Sequence, residues 1–185
     1  MAITPEFDAF AKGYAKGENQ VIYTRLAADL DTPVSLMLKR GSAQKDSFML
    51  ESVTGGEVRG RYSIVGIKPD LTWKCVGKTS SINRSARYDE NAFVTQNGEP
   101  LDEFRALLTE SHIDLPTELP QSAAGLFGYL GYDMVRHIEH LPNINPDPIG
   151  VPDALFLRPS VVAVLDGAKG EVILVSPVWH LDVAL

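Results

Sequence analysis

The sequence predicts an α+β fold built on antiparallel β-sheet. Segments rich in apolar and β-branched residues are joined by short turns, and the clearest pair, 154–165 and 171–178, flanks Gly167-Ala168-Lys169-Gly170 as a hairpin would. Helical patterns occur at the start of the chain and between the strand-like segments, without strict alternation. Strict alternation would favour a doubly wound parallel sheet, so the α+β class is expected.

The first elements are predicted by periodicity and by capping residues. Aromatic side chains recur at helical spacing over about 4–16, and a glycine follows, which predicts a helix. β-branched residues predict a strand over 21–26. Thr32 is then expected to cap a short helix whose first residue is Pro33 and which ends near Gly41.

Three strands are expected next, over 47–53, 58–65 and 71–76. The Gly55-Gly56 pair would join the first two, and a Pro69-Asp70 turn would join the second and third. This order is typical of an antiparallel meander.

The following region is predicted to mix loops, one helix and a glycine-rich strand. Residues 77–91 are polar and weakly patterned, which predicts an exposed connection. An edge strand is expected at 93–95, a helix face over 101–108, and a strand rich in glycine and tyrosine over 123–132.

Composition excludes several classes of function. The 185 residues are 44% apolar and 22% charged, which is typical of a globular protein with a core. A net charge of -7 repels polyphosphate and argues against nucleic-acid binding. The sequence has no apolar run of about 20 residues and no secretory pattern, so no membrane association is expected and the cytoplasm is the default compartment. The single cysteine, Cys75, alternates with apolar residues and is expected to be a packed thiol.

Two further motifs favour structural roles. Gly125, Gly128 and Gly131 are evenly spaced and do not form a dinucleotide fingerprint; they are expected to allow close approach of a neighbouring backbone, with large aromatic side chains packing above and below. His137 and His140 have a spacing that can hold a metal, but no third ligand cluster accompanies them. A solvated face with local ion pairs is therefore expected there, and no metal site is assigned.

Three segments together resemble component I of anthranilate synthase, a chorismate-binding enzyme. The first is Leu50-Glu51-Ser52, which is followed by a glycine pair and by Arg61-Tyr62-Ser63. The second is the glycine and tyrosine run over 125–133, and the third is the Thr32-Pro33-Val34-Ser35 segment. These matches occur in the order found in the family and extend over most of the chain.

The resemblance implies a place in a larger protein. Residues 1–185 would form the N-terminal domain, part of a sandwich of antiparallel sheets with peripheral helices that is completed by an absent C-terminal half. That half would hold chorismate and Mg²⁺, so no catalytic residue and no cofactor is assigned to this chain. The intact enzyme would be a lyase that aminates chorismate with ammonia from a glutamine amidotransferase subunit, component II, and releases pyruvate. This chain alone is predicted to be inactive.

The resemblance also implies a feedback site for L-tryptophan. Its residues here would be Leu50, Glu51 and Ser52, with Pro33 lining an apolar wall and Arg61 pairing with a carboxylate. Because side chains alternate along a strand, Leu50 and Ser52 would share one face, and Glu51 would act through its carbonyl or from a bulge. The residues alone favour a half-buried strand ending in a solvated Glu-Ser pair, and only the resemblance favours the tryptophan site.

Two other functions stay open at this point. Component I of aminodeoxychorismate synthase has a similar N-terminal region, in which tryptophan could be structural instead of inhibitory, although the segments around Thr32 and Leu50 are more similar to anthranilate synthase. A free-standing amino-acid-binding module is the alternative from a different class. A reading frame that continues beyond residue 185 into a chorismate-binding region would exclude that module.

Replacing Ser52 with a bulky residue is the first test of the tryptophan hypothesis. In the full-length protein, Ser52→Phe should relieve inhibition by tryptophan while turnover stays mostly intact, because the bulky ring would occupy the effector site and not the catalytic one. The measurement is the rate of anthranilate formation against tryptophan concentration. Unchanged inhibition would contradict the assignment of Ser52 to the site.

Overall fold

The computed structural model describes residues 2–41, 45–51, 60–142 and 146–180. The chain divides into two compact units. Unit 1 comprises Met1–Pro69, His112–Gly125 and Pro159–Leu185, and unit 2 comprises Asp70–Ser111 and Leu126–Arg158. Among the described residues, no helix is long and apolar enough to cross a membrane.

The α+β class is confirmed. The α-helices are α1 (Phe7–Ala15), α2 (Pro33–Leu36) and α3 (Pro100–Glu110). The strands are β1 (Gln20–Ala27), β2 (Phe48–Leu50), β3 (Tyr62–Val76), β4 (Thr79–Asn83), β5 (Val94–Thr95), β6 (Phe127–Leu130), β7 (Ala154–Asp166) and β8 (Glu171–Val178). Within the described ranges, the sheet order is β1-β8-β7-β3-β4-β5, with β2 paired to β3 and β6 paired to β7.

Unit 1 contains the antiparallel hairpin of β7 and β8. Strand β8 pairs with β1 along its whole length, and with β7 over Val162–Asp166. Strand β2 pairs with β3 at Ile64, Val65 and Gly66. One buried apolar cluster of this unit contains Ala28, Val65, Ala163, Leu165 and Val172. Burial of this cluster stabilises the strands of unit 1. Residues at the ends of these strands line the cavity described below.

Most local predictions for unit 1 are confirmed. The helix expected over 4–16 is α1, and Gly17 follows it with a φ of +78° while its N–H donates to the Tyr14 carbonyl at 3.0 Å. The strand expected over 21–26 is β1, and the final hairpin is β7 and β8. Helix α2 begins at Pro33 with Thr32 as its cap, and a π-helical turn continues it to Gly41.

The Pro69-Asp70 turn is wrong, because β3 runs unbroken from Tyr62 to Val76. The backbone is irregular at Lys68, the residue before Pro69. Lys68 has a φ of +53°, and its carbonyl accepts the Ser160 hydroxyl at 2.6 Å. A proline and an aspartate therefore mark a local distortion and not a chain reversal. The Gly55-Gly56 turn and residues 52–59 lie outside the described residues.

The predicted exposed connection over 77–91 is also wrong in part, because it contains β4. Ser80 and Asn83 are fully buried there, and Ile82 lies opposite Trp73. The polarity of Asn83 is satisfied locally: its amide donates to the Asp89 carbonyl at 2.7 Å and its oxygen accepts the Ser85 N–H at 2.8 Å. Local partners of this kind allow a polar sequence to form a buried strand.

Unit 2 is built around an aromatic core. The Phe104 ring lies 4.9 Å from Trp73 and 4.4 Å from Phe156, measured between ring centroids. Phe104 comes from α3, which confirms the helix face predicted over 101–108. Cys75 belongs to the same cluster and is fully buried, and burial, with a smaller contribution from Asp153, raises the pKa of its thiol to about 11. The prediction of a packed thiol is confirmed.

The glycine run confirms the expected close approach of two backbones. A Cβ at Gly128 would lie 1.9 Å from the Leu155 carbonyl oxygen, and one at Gly131 would lie 2.8 Å from that of Asp153. The strand is shorter than predicted, covering only Phe127–Leu130. The expectation that the aromatic residues pack on both sides is wrong for Tyr132, whose side chain is largely exposed.

A buried arginine joins three segments of unit 2. Arg158, in β7, is 2% exposed, and its Nε and Nη2 each donate to Asp70 of β3 at 3.0 Å. Its Nη1 donates to the Ser111 hydroxyl at 3.3 Å and lies 3.5 Å from Glu110 at the end of α3. Glu110 in turn accepts two hydrogen bonds from Arg84, at 2.6 and 2.7 Å.

Gly128→Ala is expected to destabilise the chain by about 2 kcal/mol, because the added methyl group would force β6 away from β7. Gly167→Ala is the matched control, since the nearest atom to its Cβ would be the Arg61 carbonyl oxygen at 3.5 Å, an ordinary contact. Urea unfolding of the two variants measures the difference. Equal free energies of unfolding would contradict the close approach at Gly128.

Candidate ligand cavity

A cavity of about 350 Å³ opens in unit 1 where four segments meet. We call it the Pro33 cavity. Its lining residues are Ala28, Asp29, Asp31, Thr32, Pro33, Glu51, Gly60, Arg61, Ser63, Leu165, Asp166, Gly167, Gly170 and Glu171. They come from the connection between β1 and α2, the end of β2, the start of β3 and the turn between β7 and β8. The volume lies within the range of about 300–1,000 Å³ that small-molecule sites occupy.

The first wall is set by the start of α2. The Thr32 Oγ1 accepts the Ser35 N–H at 3.0 Å, and the Ser35 Oγ accepts the Thr32 N–H at 3.0 Å, which together form a capping box. Pro33 follows directly as the first helical residue. The usual third helical residue of such a box is Glu or Gln, so the participation of Ser35 was missed by the sequence reasoning.

The opposite wall is held by an arginine–aspartate pair. Arg61 donates through Nε to Asp166 Oδ1 at 2.8 Å and through Nη2 to Asp166 Oδ2 at 2.6 Å. The backbone adds a third bond, because the Gly167 N–H donates to the Arg61 carbonyl at 3.0 Å. The hydrogen bonds from Arg61 hold the pKa of Asp166 below its ordinary value despite burial. This bidentate pair fixes the start of β3 to the end of β7.

The cavity carries more carboxylates than cations. Asp166 is paired with Arg61, Asp31 with Lys39, and Glu171 with Arg25. The hydrogen bond from Lys39, followed by one from Ser35, lowers the pKa of Asp31.

Two carboxylates of the cavity remain available to a ligand. Asp29 and Glu51 are exposed, and in the described parts of the chain neither forms an ion pair. Such acceptors suit an ammonium group. Arg61 still has its Nη1 nitrogen, for which no hydrogen bond is found among the described residues, as a donor for an anion.

The structure brings three of the five predicted site residues to this cavity. Pro33, Glu51 and Arg61 all contribute to its lining. Leu50 does not line it; this residue is the last of β2, lies opposite Ile64 and is 53% exposed. Ser52 lies outside the described residues. The roles of all five in binding tryptophan stay predictions.

Sequence reasoning missed four carboxylates of the cavity: Asp29, Asp31, Asp166 and Glu171. Asp166 and Glu171 flank the predicted hairpin turn, where acidic residues are common and carry no specific signal. Asp29 lies in the connection after β1. Only the folded chain places them beside Pro33 and Arg61.

The histidine segment is separate from this lining. Arg136 Nε donates to Asp133 at 2.7 Å, which confirms the expected local ion pair, and His137 Nε2 lies 3.7 Å from Cys75 Sγ. Across the described ranges, no group of three His, Cys, Asp or Glu side chains is placed to hold a metal ion.

Comparison with known proteins gives first the fold of the chain and then its sequence relatives. The solved structure of anthranilate synthase component I from Streptococcus pneumoniae TIGR4 matches 80% of this chain and 29% of its own with a TM-score of 0.50 at 24% identity. At that identity the likeness shows the fold, an α+β fold with antiparallel sheet. No protein-family model matches the chain.

Relatives found by sequence comparison are more similar to this chain than that solved structure is. Anthranilate synthase component 1 of Cereibacter sphaeroides is 64% identical over 173 residues, which are 94% of this chain and 35% of the relative. That of Thermus thermophilus is 39% identical over 155 residues, or 81% of this chain and 30% of the relative. Over most of its length, the chain is similar to the N-terminal part of anthranilate synthase component 1. It spans about a third of the length of these relatives.

The Arg61–Asp166 pair predicts a specific pH dependence of stability. Because the pKa of Asp166 is depressed in the folded chain, its contribution is complete above the ordinary value of 3.8 and is lost as the pH falls through the folded pKa. Asp166→Asn should therefore lower the free energy of unfolding by about 2 kcal/mol at pH 7, and the deficit should shrink below about pH 4.

Denaturant unfolding from pH 7 to pH 3 measures this deficit. Asp114→Asn is the matched control, because the Asp114 side chain is fully exposed and should contribute little at any pH. A deficit of Asp166→Asn that stays constant down to pH 3 would contradict the role of the ion pair.

Proposed function

We propose that this chain is the N-terminal, tryptophan-sensing part of an anthranilate synthase component 1. The observation that supports it best is the convergence of Pro33, Glu51 and Arg61 on one cavity, because the resemblance alone had grouped these residues as a tryptophan site. The similarity to anthranilate synthase component 1 supports the enzyme assignment. Because the chain spans only about a third of these relatives, we assign catalysis to the remaining length of a longer protein.

The chemistry of the Pro33 cavity suits an amino acid. A zwitterion needs acceptors for its ammonium group and a donor for its carboxylate. Asp29 and Glu51 offer the acceptors, and Arg61 offers a donor through Nη1, which does not bond to Asp166. Pro33, Ala28 and Leu165 add apolar surface for an indole ring.

The proposed activity of the whole protein is the conversion of chorismate to anthranilate and pyruvate in the cytoplasm, with ammonia from a glutamine amidotransferase subunit. The resemblance assigns the magnesium ligands to the C-terminal half of that protein. This chain alone would have no synthase activity.

Feedback requires that tryptophan distinguish two arrangements of the whole protein. A ligand shifts a conformational equilibrium only through a difference in affinity between the two states. If this chain provides one side of the site and the C-terminal half provides the other, bound tryptophan favours the arrangement in which both sides contact it.

Glu51→Lys in the full-length enzyme tests the site. The substitution places a cation where the ligand ammonium would lie, so the tryptophan concentration for half-inhibition should rise at least about tenfold. Glu139→Lys is the matched control, since it makes the same charge change at an exposed residue that does not line the cavity. Anthranilate formation is measured against tryptophan concentration. Equal inhibition of both variants and the wild type would refute the site.

Calorimetry separates a shared site from a complete one. Tryptophan should bind the 185-residue chain much more weakly than it binds the full-length enzyme, because only part of the site is present. Equal affinities would show that the Pro33 cavity is complete by itself.

A further inference from the structure

The wall of the Pro33 cavity depends on a residue that does not line it. Asp31, Thr32 and Pro33 are consecutive, and all three line the cavity. Ser35 follows two residues later and is outside the lining. Its hydrogen bonds nevertheless reach both residues that precede Pro33.

Two atoms of Ser35, its backbone nitrogen and its Oγ, contact four polar atoms of Asp31 and Thr32. Its N–H donates to Thr32 Oγ1 at 3.0 Å, and its Oγ accepts the Thr32 N–H at 3.0 Å. The same Oγ lies 2.9 Å from Asp31 Oδ1 and 3.0 Å from the Thr32 carbonyl. A hydroxyl has one proton, and the carboxylate is the stronger acceptor, so the proton goes to Asp31.

Two other polar contacts hold the Asp31 end of this wall: the ion pair with Lys39, and the Asp31 N–H, which donates to the Ala28 carbonyl at 3.0 Å. Helix α2 has four residues, and none of them is fully buried. A helix that short is not stable by itself, and its geometry depends on its caps and on partial packing. Leu36 supplies the partial packing against the cluster of unit 1, while the cap fixes the Asp31–Pro33 end.

We infer that Ser35 is a positioning residue for effector binding: through Thr32 and Asp31 it fixes the wall that Pro33 presents to the ligand. The inference rests on the proposed tryptophan site. Loss of a capping interaction costs about 1 kcal/mol, which corresponds to about a fivefold loss in affinity if the bound state requires the capped wall.

Paired substitutions in the full-length enzyme test this role. Ser35→Ala removes the acceptor of the Thr32 N–H and the donor to Asp31, and Thr32→Val removes the acceptor of the Ser35 N–H. Each substitution opens the capping box and should raise the tryptophan concentration for half-inhibition about fivefold. Because the two residues form one box, the double variant should be no worse than about fivefold. Inhibition is expressed relative to the uninhibited rate of each variant.

Conservative variants provide the rescue. Thr32→Ser keeps the capping hydroxyl, and Ser35→Gln restores the usual third residue of the box, so both should be inhibited like the wild type. Ser176→Ala is the control for loss of a hydroxyl elsewhere in unit 1, since the Ser176 hydroxyl donates to the Ser160 carbonyl at 3.0 Å and does not line the Pro33 cavity.

Each outcome decides a separate question. Fivefold weaker inhibition of Ser35→Ala and Thr32→Val, with rescue by Thr32→Ser and Ser35→Gln, supports positioning. Wild-type inhibition of Ser35→Ala and Thr32→Val, additive losses in the double variant, or a fivefold loss in Thr32→Ser, Ser35→Gln or Ser176→Ala would each overturn it. A wild-type enzyme that tryptophan does not inhibit would instead refute the proposed function.

Discussion

The pairing of Arg158 with Asp70 is the interaction on which the two longest strands depend. Arg158 is 2% exposed, so a charge left there without a partner would be costly, on the order of 3–5 kcal/mol. Asp70 and Arg158 belong to β3 and β7, whose other ends carry Arg61 and Asp166. The same pair of strands is thus tied twice by an arginine and an aspartate, once inside unit 2 and once at the wall of the Pro33 cavity.

Elements with a local signal could be predicted from the sequence. Helix α1, the Thr32 cap and the hairpin of β7 and β8 each follow from residues close together in the chain. Strand β4 could not, because Ser80 and Asn83 are of residue types that are mostly exposed, whereas the pairing of β4 with β3 buries both. The Pro69-Asp70 turn failed for a related reason: Asp70 is drawn into an ion pair with a residue 88 positions away, which favours an extended strand over a reversal.

In the candidate site, too, features with a local sequence signal could be predicted and features set by distant residues could not. The sequence was sufficient to propose Glu51 and Pro33 as site residues. It did not predict that the Arg61 guanidinium forms an ion pair within the chain. Sequence reasoning expected its guanidinium to meet a ligand carboxylate, whereas the structure pairs it with Asp166, 105 residues away. No local pattern predicts a partner at that separation, and the turn that contains Asp166 has the composition of an ordinary hairpin connection.

This pairing changes what the chain can contribute to a shared site. Asp166 neutralises most of the attraction that Arg61 could exert on a ligand anion, while Asp29 and Glu51 remain available to a cation. The Pro33 cavity is therefore better suited to the ammonium end of an amino acid than to its carboxylate. In the proposed enzyme, donors from the C-terminal half would then complete the recognition of the carboxylate. A ligand whose two charged ends contact two parts of one protein gains affinity only when those parts are correctly arranged, and this differential affinity is the physical requirement for feedback control.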